Sequence, residues 1–123
     1  MDAVADSLAL LRQAAVIAMQ IDDALGGTEL NVDRWRALEF IQSSPGCSMA
    51  ELIDALCITP TTATRAIDLL VEVGAVFRAP APHDRRRVTL QLSAHGAALL
   101  REVQPAILRI CEQYGLSVDP VSE

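Results

Sequence analysis

V-F-R-A-P-A-P-H-D-R-R-R-V-T-L-Q-L-S-A-H-G, residues Val76 to Gly96, is the stretch on which the fold turns. It opens on the apolar, β-prone Val76 and Phe77, followed by Arg78. Pro80 and Pro82 then fix φ and cannot extend a paired strand. After Arg85, Arg86 and Arg87 the run Val88-Thr89-Leu90-Gln91-Leu92 alternates apolar and polar, the period of a half-buried strand. The pattern predicts two short strands joined by a protruding, cationic, proline-stiffened loop. Such a hairpin suits a phosphate backbone or a narrow groove. A charge run of this kind also fits a plain solvated loop, and the residues upstream decide between the two.

Upstream, Asn31 is placed to cap a helix over Val32 to Ser43, with Trp35, Leu38 and Ile41 facing inward. Ser44-Pro45-Gly46 is a turn, and Ser48 with Glu51 forms a capping box that opens a short helix burying Leu52, Ile53 and Leu56. Thr59-Pro60 is a cap followed by proline at the first helical position, where its missing N–H costs nothing. That helix is expected from Pro60 to Val73, with Ala63, Ile67 and Leu70 buried and Gly74 as its stop. Two short helices, a tight turn and a hairpin make the winged helix-turn-helix plan. Thr61, Thr62, Thr64 and Arg65 fall outside the apolar stripe of the second helix. Threonine methyls can touch thymine methyls, hydroxyls can bond phosphate or base, and a guanidinium can fork onto guanine O6 and N7.

The runs L-V-E-V-G-A-V-F-R (Leu70 to Arg78) and D-R-R-R-V-T-L-Q-L-S-A-H-G (Asp84 to Gly96) resemble the MarR family of bacterial transcriptional regulators. The family's wing pattern is D-x-R, a strand, then L-T-x-x-G. Asp84, Arg86, Leu92 and Gly96 hold those positions, with Ser93 where threonine is usual. The resemblance implies a homodimer on a pseudo-palindromic operator in double-stranded DNA. Thr61, Thr62, Thr64 and Arg65 would enter the major groove, Arg86 at the wing tip would enter the minor groove, and Arg85 and Arg87 would join it in binding DNA. Asp84 would hold the wing arginines in place rather than touch DNA. It also implies a small aromatic or lipophilic effector between the dimerisation helices and the DNA-binding lobe.

Around this lobe the chain is helical. Residues 3–25 carry two adjoining apolar stripes, one through Val4, Leu8, Leu11, Ala15 and Ala18, the other through Leu10, Ala14, Ile17, Ile21 and Leu25. So broad a face asks for two partners, its own lobe and a second subunit. Ser93 caps a last helix, residues 94–114, in which Pro105 predicts a kink or restart near Glu102. Residues 115–123 read as a tail, where typical relatives carry another helix. The expected organisation is one mainly α domain with a small β-hairpin: a winged helix-turn-helix lobe over 30–92, flanked by dimerisation helices over 3–25 and 94–114.

Composition agrees. At 123 residues and 51% hydrophobic the chain can bury its own core. The longest unbroken apolar run, Ala14 to Met19, is short for a bilayer, and Asp2 and Asp6 argue against a secretory signal. A cytoplasmic protein without a membrane partner is expected. The net charge is −6, yet Thr59 to Arg87 holds five arginines against Asp68, Glu72 and Asp84. The acidic body therefore carries a basic working edge, built from arginine alone since lysine is absent. That acidity also keeps open a winged-helix module that binds protein instead of DNA.

Cys47, Cys57 and Cys111 are widely spaced, and neither His83 nor His95 has a ligand at metal spacing, so no disulfide framework, metal or cofactor is expected. Cys57, between Leu56 and Ile58, reads as a small core residue, and Cys111 could approach its symmetry mate. Trp35 reads either as core or as the wall of a ligand pocket. No nucleophile–base or paired-carboxylate arrangement points to catalysis.

Overall fold

The computed structural model describes residues 2–116. Five helices and one hairpin follow in the order α1 (Ala3–Ala24), α2 (Val32–Ser43), α3 (Met49–Leu56), α4 (Pro60–Glu72), β1 (Val76–Ala81), β2 (Asp84–Leu92) and α5 (Ala94–Gln113). Each helix begins on a side-chain cap. Asp2, Asn31, Ser48, Thr59 and Ser93 all accept from a backbone N–H of the first turn. At Ser48 the box closes both ways, with Glu51 Oε1 accepting from the Ser48 N–H at 2.8 Å.

One core joins the elements. Leu38 and Ile41 of α2, Leu52 of α3, Ile67 and Leu70 of α4 and Leu90 of β2 are fully buried within it, and Leu100, Val103, Ile107 and Ile110 of α5 close one side. The loop before α3 is stitched to β2: the Gly46 N–H donates to the Leu90 carbonyl at 3.0 Å, and the Leu90 N–H donates to the Cys47 carbonyl at 2.8 Å. Arg36 crosses from α2 and donates Nη2 to the Leu56 carbonyl at 2.6 Å, satisfying an orphan acceptor at the end of α3.

The Ser93–Gly96 pair fixes α5 to the hairpin base. Ser93 Oγ donates to the Gly74 carbonyl and accepts from the Gly96 N–H at 3.0 Å, while the Ser93 N–H donates to the Ala75 carbonyl at 3.0 Å. The hydroxyl does here what threonine would do. A Cβ on Gly96 would overlap the Ala75 carbonyl oxygen and crowd Leu92, so the last residue of the wing motif is a packing requirement.

Three expectations need correction. The strands run further than the prolines suggested: Pro80 pairs with Val88 and Ala81 with Asp84, leaving only Pro82-His83 as the turn. Proline is tolerated because the register breaks right after it. The predicted restart near Glu102 does not occur, since α5 is continuous across Pro105. Pro105 itself is exposed, and burial of Val103 and Ile107 on either side holds the helix through the lost hydrogen bond. Cys57 is exposed rather than core, because it ends α3 in the left-handed conformation (φ 54°, ψ 46°), which turns its side chain outward. Residues 117–123 of the expected tail lie outside the described residues.

α1 behaves as two halves. Ile17, Ile21 and Leu25 pack on the core, whereas Val4, Leu8, Leu10 and Leu11 are each more than 60% exposed. By length and composition α1 could cross a membrane. Asp6 and Arg12 interrupt it, and its C-terminal part belongs to the core.

Candidate nucleic-acid interface

The recognition surface starts from how α4 is launched. Thr59 Oγ1 accepts from the Thr62 N–H at 3.1 Å and donates its proton to Thr62 Oγ1 at 2.9 Å. With Ala63, Ala66, Ile67 and Leu70 turned inward, Thr61, Thr64 and Arg65 are exposed and Thr62 is half-buried. All four residues singled out from the sequence therefore lie on the first two turns of α4, accessible from outside the lobe.

The wing gives the arginines an unusual setting. Between the Pro80–Val88 and Ala81–Asp84 pairs, residues 85–87 face no partner on β1. The triplet is thus a bulge, which breaks the ladder and re-aims side chains. Asp84 Oδ1 accepts both the Arg86 N–H at 3.1 Å and the Arg86 Nε–H at 3.3 Å. The bulge is pinned this way while the Arg86 side chain stays 92% exposed. Arg85 and Arg87 are also exposed.

Electrostatics divide the arginines. Arg78 at the base of β1 is bound to Asp68 of α4 at 2.7 Å, so it joins wing to recognition helix. Its charge is therefore balanced inside the basic edge by a partner ten residues away in sequence. The strand alternation and the outward position of Asp68 on α4 are the signal that could have paired them. Glu51 is held below the usual carboxylate range, first by the Ser48 backbone N–H, then by its hydroxyl, with Arg87 adding a smaller pull. Cys47, buried beside Glu51, has its thiol pushed up mainly by desolvation. His95 pairs with Glu29 at 2.7 Å, tying α5 to the connector before α2.

An apolar hollow of about 510 Å³ lies between α1 and α2, walled by Ala14, Ile17, Ile21, Val32 and Trp35 with Arg36 and Asp33 at its edge. Trp35 both packs against the core and lines this space, so the two readings of it meet.

A capped helix pair, an outward-facing Thr/Arg surface and a bulged arginine wing define a winged helix-turn-helix protein of the DNA-binding type. The sequence pattern of the MarR family matches residues 28–87. The HTH-type transcriptional repressor Rv2887 of Mycobacterium tuberculosis is 29% identical over 98 residues, covering 80% of this chain and 70% of the relative. Two solved structures share the fold. CouR from Rhodococcus jostii bound to p-coumaroyl-CoA superposes with a TM-score of 0.79 at 21% identity, over 93% of this chain and 82% of its own. A mutant of MarR from E. coli complexed with operator DNA superposes at 0.70 and 23% identity, over 97% and 90%. Over residues 28–87 the chain carries the MarR-family pattern, and it is similar to transcriptional regulators of that family.

Proposed function

We propose that this chain is a transcriptional regulator that binds a pseudo-palindromic operator as a homodimer and acts as a repressor in the cytoplasm. The observation that carries the reading is the placement of α4's exposed Thr/Arg surface and the bulged, carboxylate-pinned arginine triplet on one lobe. Thr61, Thr62, Thr64 and Arg65 enter the major groove, where Arg65 reads a base edge. Arg85, Arg86 and Arg87 serve the minor groove and its phosphates, with Arg86 inserted and Asp84 shaping the bulge. The lobe over 30–92 carries DNA contact. Residues 3–25 and 94–114 carry dimerisation, supported by the exposed leucines of α1. The hollow beside Trp35 takes a small aromatic or lipophilic effector; the p-coumaroyl-CoA complex of CouR supports a ligand-sensing reading.

The experiment is a fluorescence-anisotropy titration with duplex from the chain's own upstream region and a scrambled duplex, at 50 and 200 mM salt. Specific, steeply salt-dependent binding with two chains per site is expected. Binding to neither duplex, with retention of a protein partner, would hand the lobe to protein docking.

A further inference from the structure

Arg34 belongs to no motif, yet it lines a cleft of about 210 Å³ between the first turn of α2 and the recognition helix, with Asn31, Asp33, Thr62, Arg65 and Ala66. One of its donors is spent: Nη1 donates to the Glu29 carbonyl at 3.3 Å, which fixes the guanidinium in place. A guanidinium has five N–H donors, so most of them still face the cleft or solvent. Thr62 is in a similar state. Its Oγ1 already accepts from the Thr59 hydroxyl, which leaves its own proton to give away. Asn31 occupies the Arg34 backbone N–H at 2.9 Å, so the start of α2 is capped and the cleft's free donors are side chains. Against them stands one carboxylate, Asp33. Two guanidiniums and a free hydroxyl outweigh it, and what they lack is an acceptor with negative charge.

The cleft opens along the same helix that presents Thr61, Thr64 and Arg65 outward. We propose that it seats a DNA backbone phosphate, held by Arg34 and the Thr62 hydroxyl. Arg65 is thereby left free for base edges. The inference rests on the DNA-binding reading and adds a contact on α2, outside both recognition helix and wing. Planar, charge-assisted N–H···O contacts suit phosphate well, and they fix register without reading sequence.

The test measures Arg34→Ala and Asp33→Asn on upstream and scrambled duplexes across a salt series. Arg34→Ala should bind both duplexes about tenfold more weakly, with the log–log salt slope shallower by about 0.9 per lost phosphate contact. Asp33→Asn should bind both duplexes more tightly, a gain that a damaged fold cannot produce. Parent-like binding by Arg34→Ala, while Arg86→Ala is impaired, would overturn this inference and leave the DNA reading standing. Absence of binding by the parent would overturn both. A loss confined to the upstream duplex would mean a base contact and overturn the phosphate assignment. Millimolar inorganic phosphate without DNA should leave the thermal midpoint unchanged; a saturable rise that Arg34→Ala abolishes would make the cleft a free-anion site instead.

Discussion

The wing tip and the first half of α1 are both strongly exposed, for opposite physical reasons. At the wing, exposure puts Arg86 in water, where a guanidinium is well solvated, and Asp84 holds its backbone so that little remains to be ordered on binding. In α1, exposure leaves Val4, Leu8, Leu10 and Leu11 in water, where each costs about 1.5–3 kcal/mol relative to burial. The first surface is stable alone and waits for a polyanion. The second is unfavourable alone and calls for a cover. On the proposed reading the contact through α1 is the permanent one, and DNA binding through the wing is conditional on it.

The largest effect should follow from attacking the permanent contact. Leu8→Glu with Leu11→Glu places charges on the exposed face of α1 without touching the core, since neither residue packs inside the subunit. Light scattering should show a folded monomer, and operator affinity should fall by about a hundredfold or more, because each half-site then binds without the avidity of its twin. A parent that is already a monomer at micromolar concentration would break the comparison at its root.

Next in size come the arginines. Arg86→Ala should weaken binding on all sequences and flatten the salt slope by about one unit for each lost charge. Arg86→Lys should recover little, since the ammonium is more strongly hydrated and cannot reproduce the Nε–H contact to Asp84. Arg65→Ala should cost about 1–3 kcal/mol and relax discrimination at one position of each half-site. Anisotropy titrations on single-base-pair variants separate the two behaviours. If both arginines lose affinity uniformly, Arg65 is a second phosphate contact and base reading falls to the threonines.

Much of this was legible in sequence because its causes are local. Asn31, Ser48 with Glu51, Thr59-Pro60 and Gly74 each set a helix end through bonds within four residues, and the α2, α3 and α4 boundaries fall at or within one residue of where those signals put them. The alternation Val88 to Leu92 marked half of β2 for the same reason. What sequence missed depends on distance or on exceptions. Pro80 stays in a strand because a register break follows it, and the arginine triplet became a bulge instead of a loop. The Arg36 bond to Leu56, the Arg78 pair with Asp68 and the Arg34 cleft join residues far apart or on different helices. Cys57 looked internal from its neighbours, and only its left-handed backbone turns it out.

That backbone gives a smaller, stability-only prediction between the two surfaces. A non-glycine residue in the left-handed region costs about 1–2 kcal/mol, part of which glycine returns in lost chain entropy. Cys57→Gly should therefore raise stability by about 0.5–1 kcal/mol in urea unfolding and leave DNA affinity unchanged. Reduced stability would mean that the thiol's contact with the Asp54 carbonyl outweighs the backbone relief.

The smallest effect concerns two glutamates that respond to acid in opposite senses. Glu39 lies beside Trp35 and Phe40 over a shallow apolar hollow, and desolvation pushes its carboxyl up from the ordinary 4.5, with the Trp35 side chain pulling partly back. A raised folded value means that the ionised carboxylate disfavours the fold. The cost is in full force above that raised value and disappears below 4.5, where both states are protonated. Glu39→Gln should stabilise the protein at neutral pH by at most about 0.5 kcal/mol, because the site is exposed and screened, and should match the parent below 4.5. Glu51 has the opposite sign: its lowered value means that ionisation favours the fold, a contribution present above 4.5 and lost as pH falls through the lowered value. Glu51→Gln should therefore be slightly less stable than the parent at neutral pH, although glutamine keeps the capping geometry, and the difference should close under acid. Chemical denaturation of both variants at neutral pH and in acid checks the pair. If Glu51→Gln also lost operator affinity at neutral pH, the pull of Arg87 on Glu51 would prove to orient the wing, and the division between a pre-shaped wing and an uncovered α1 would have to include the start of α3.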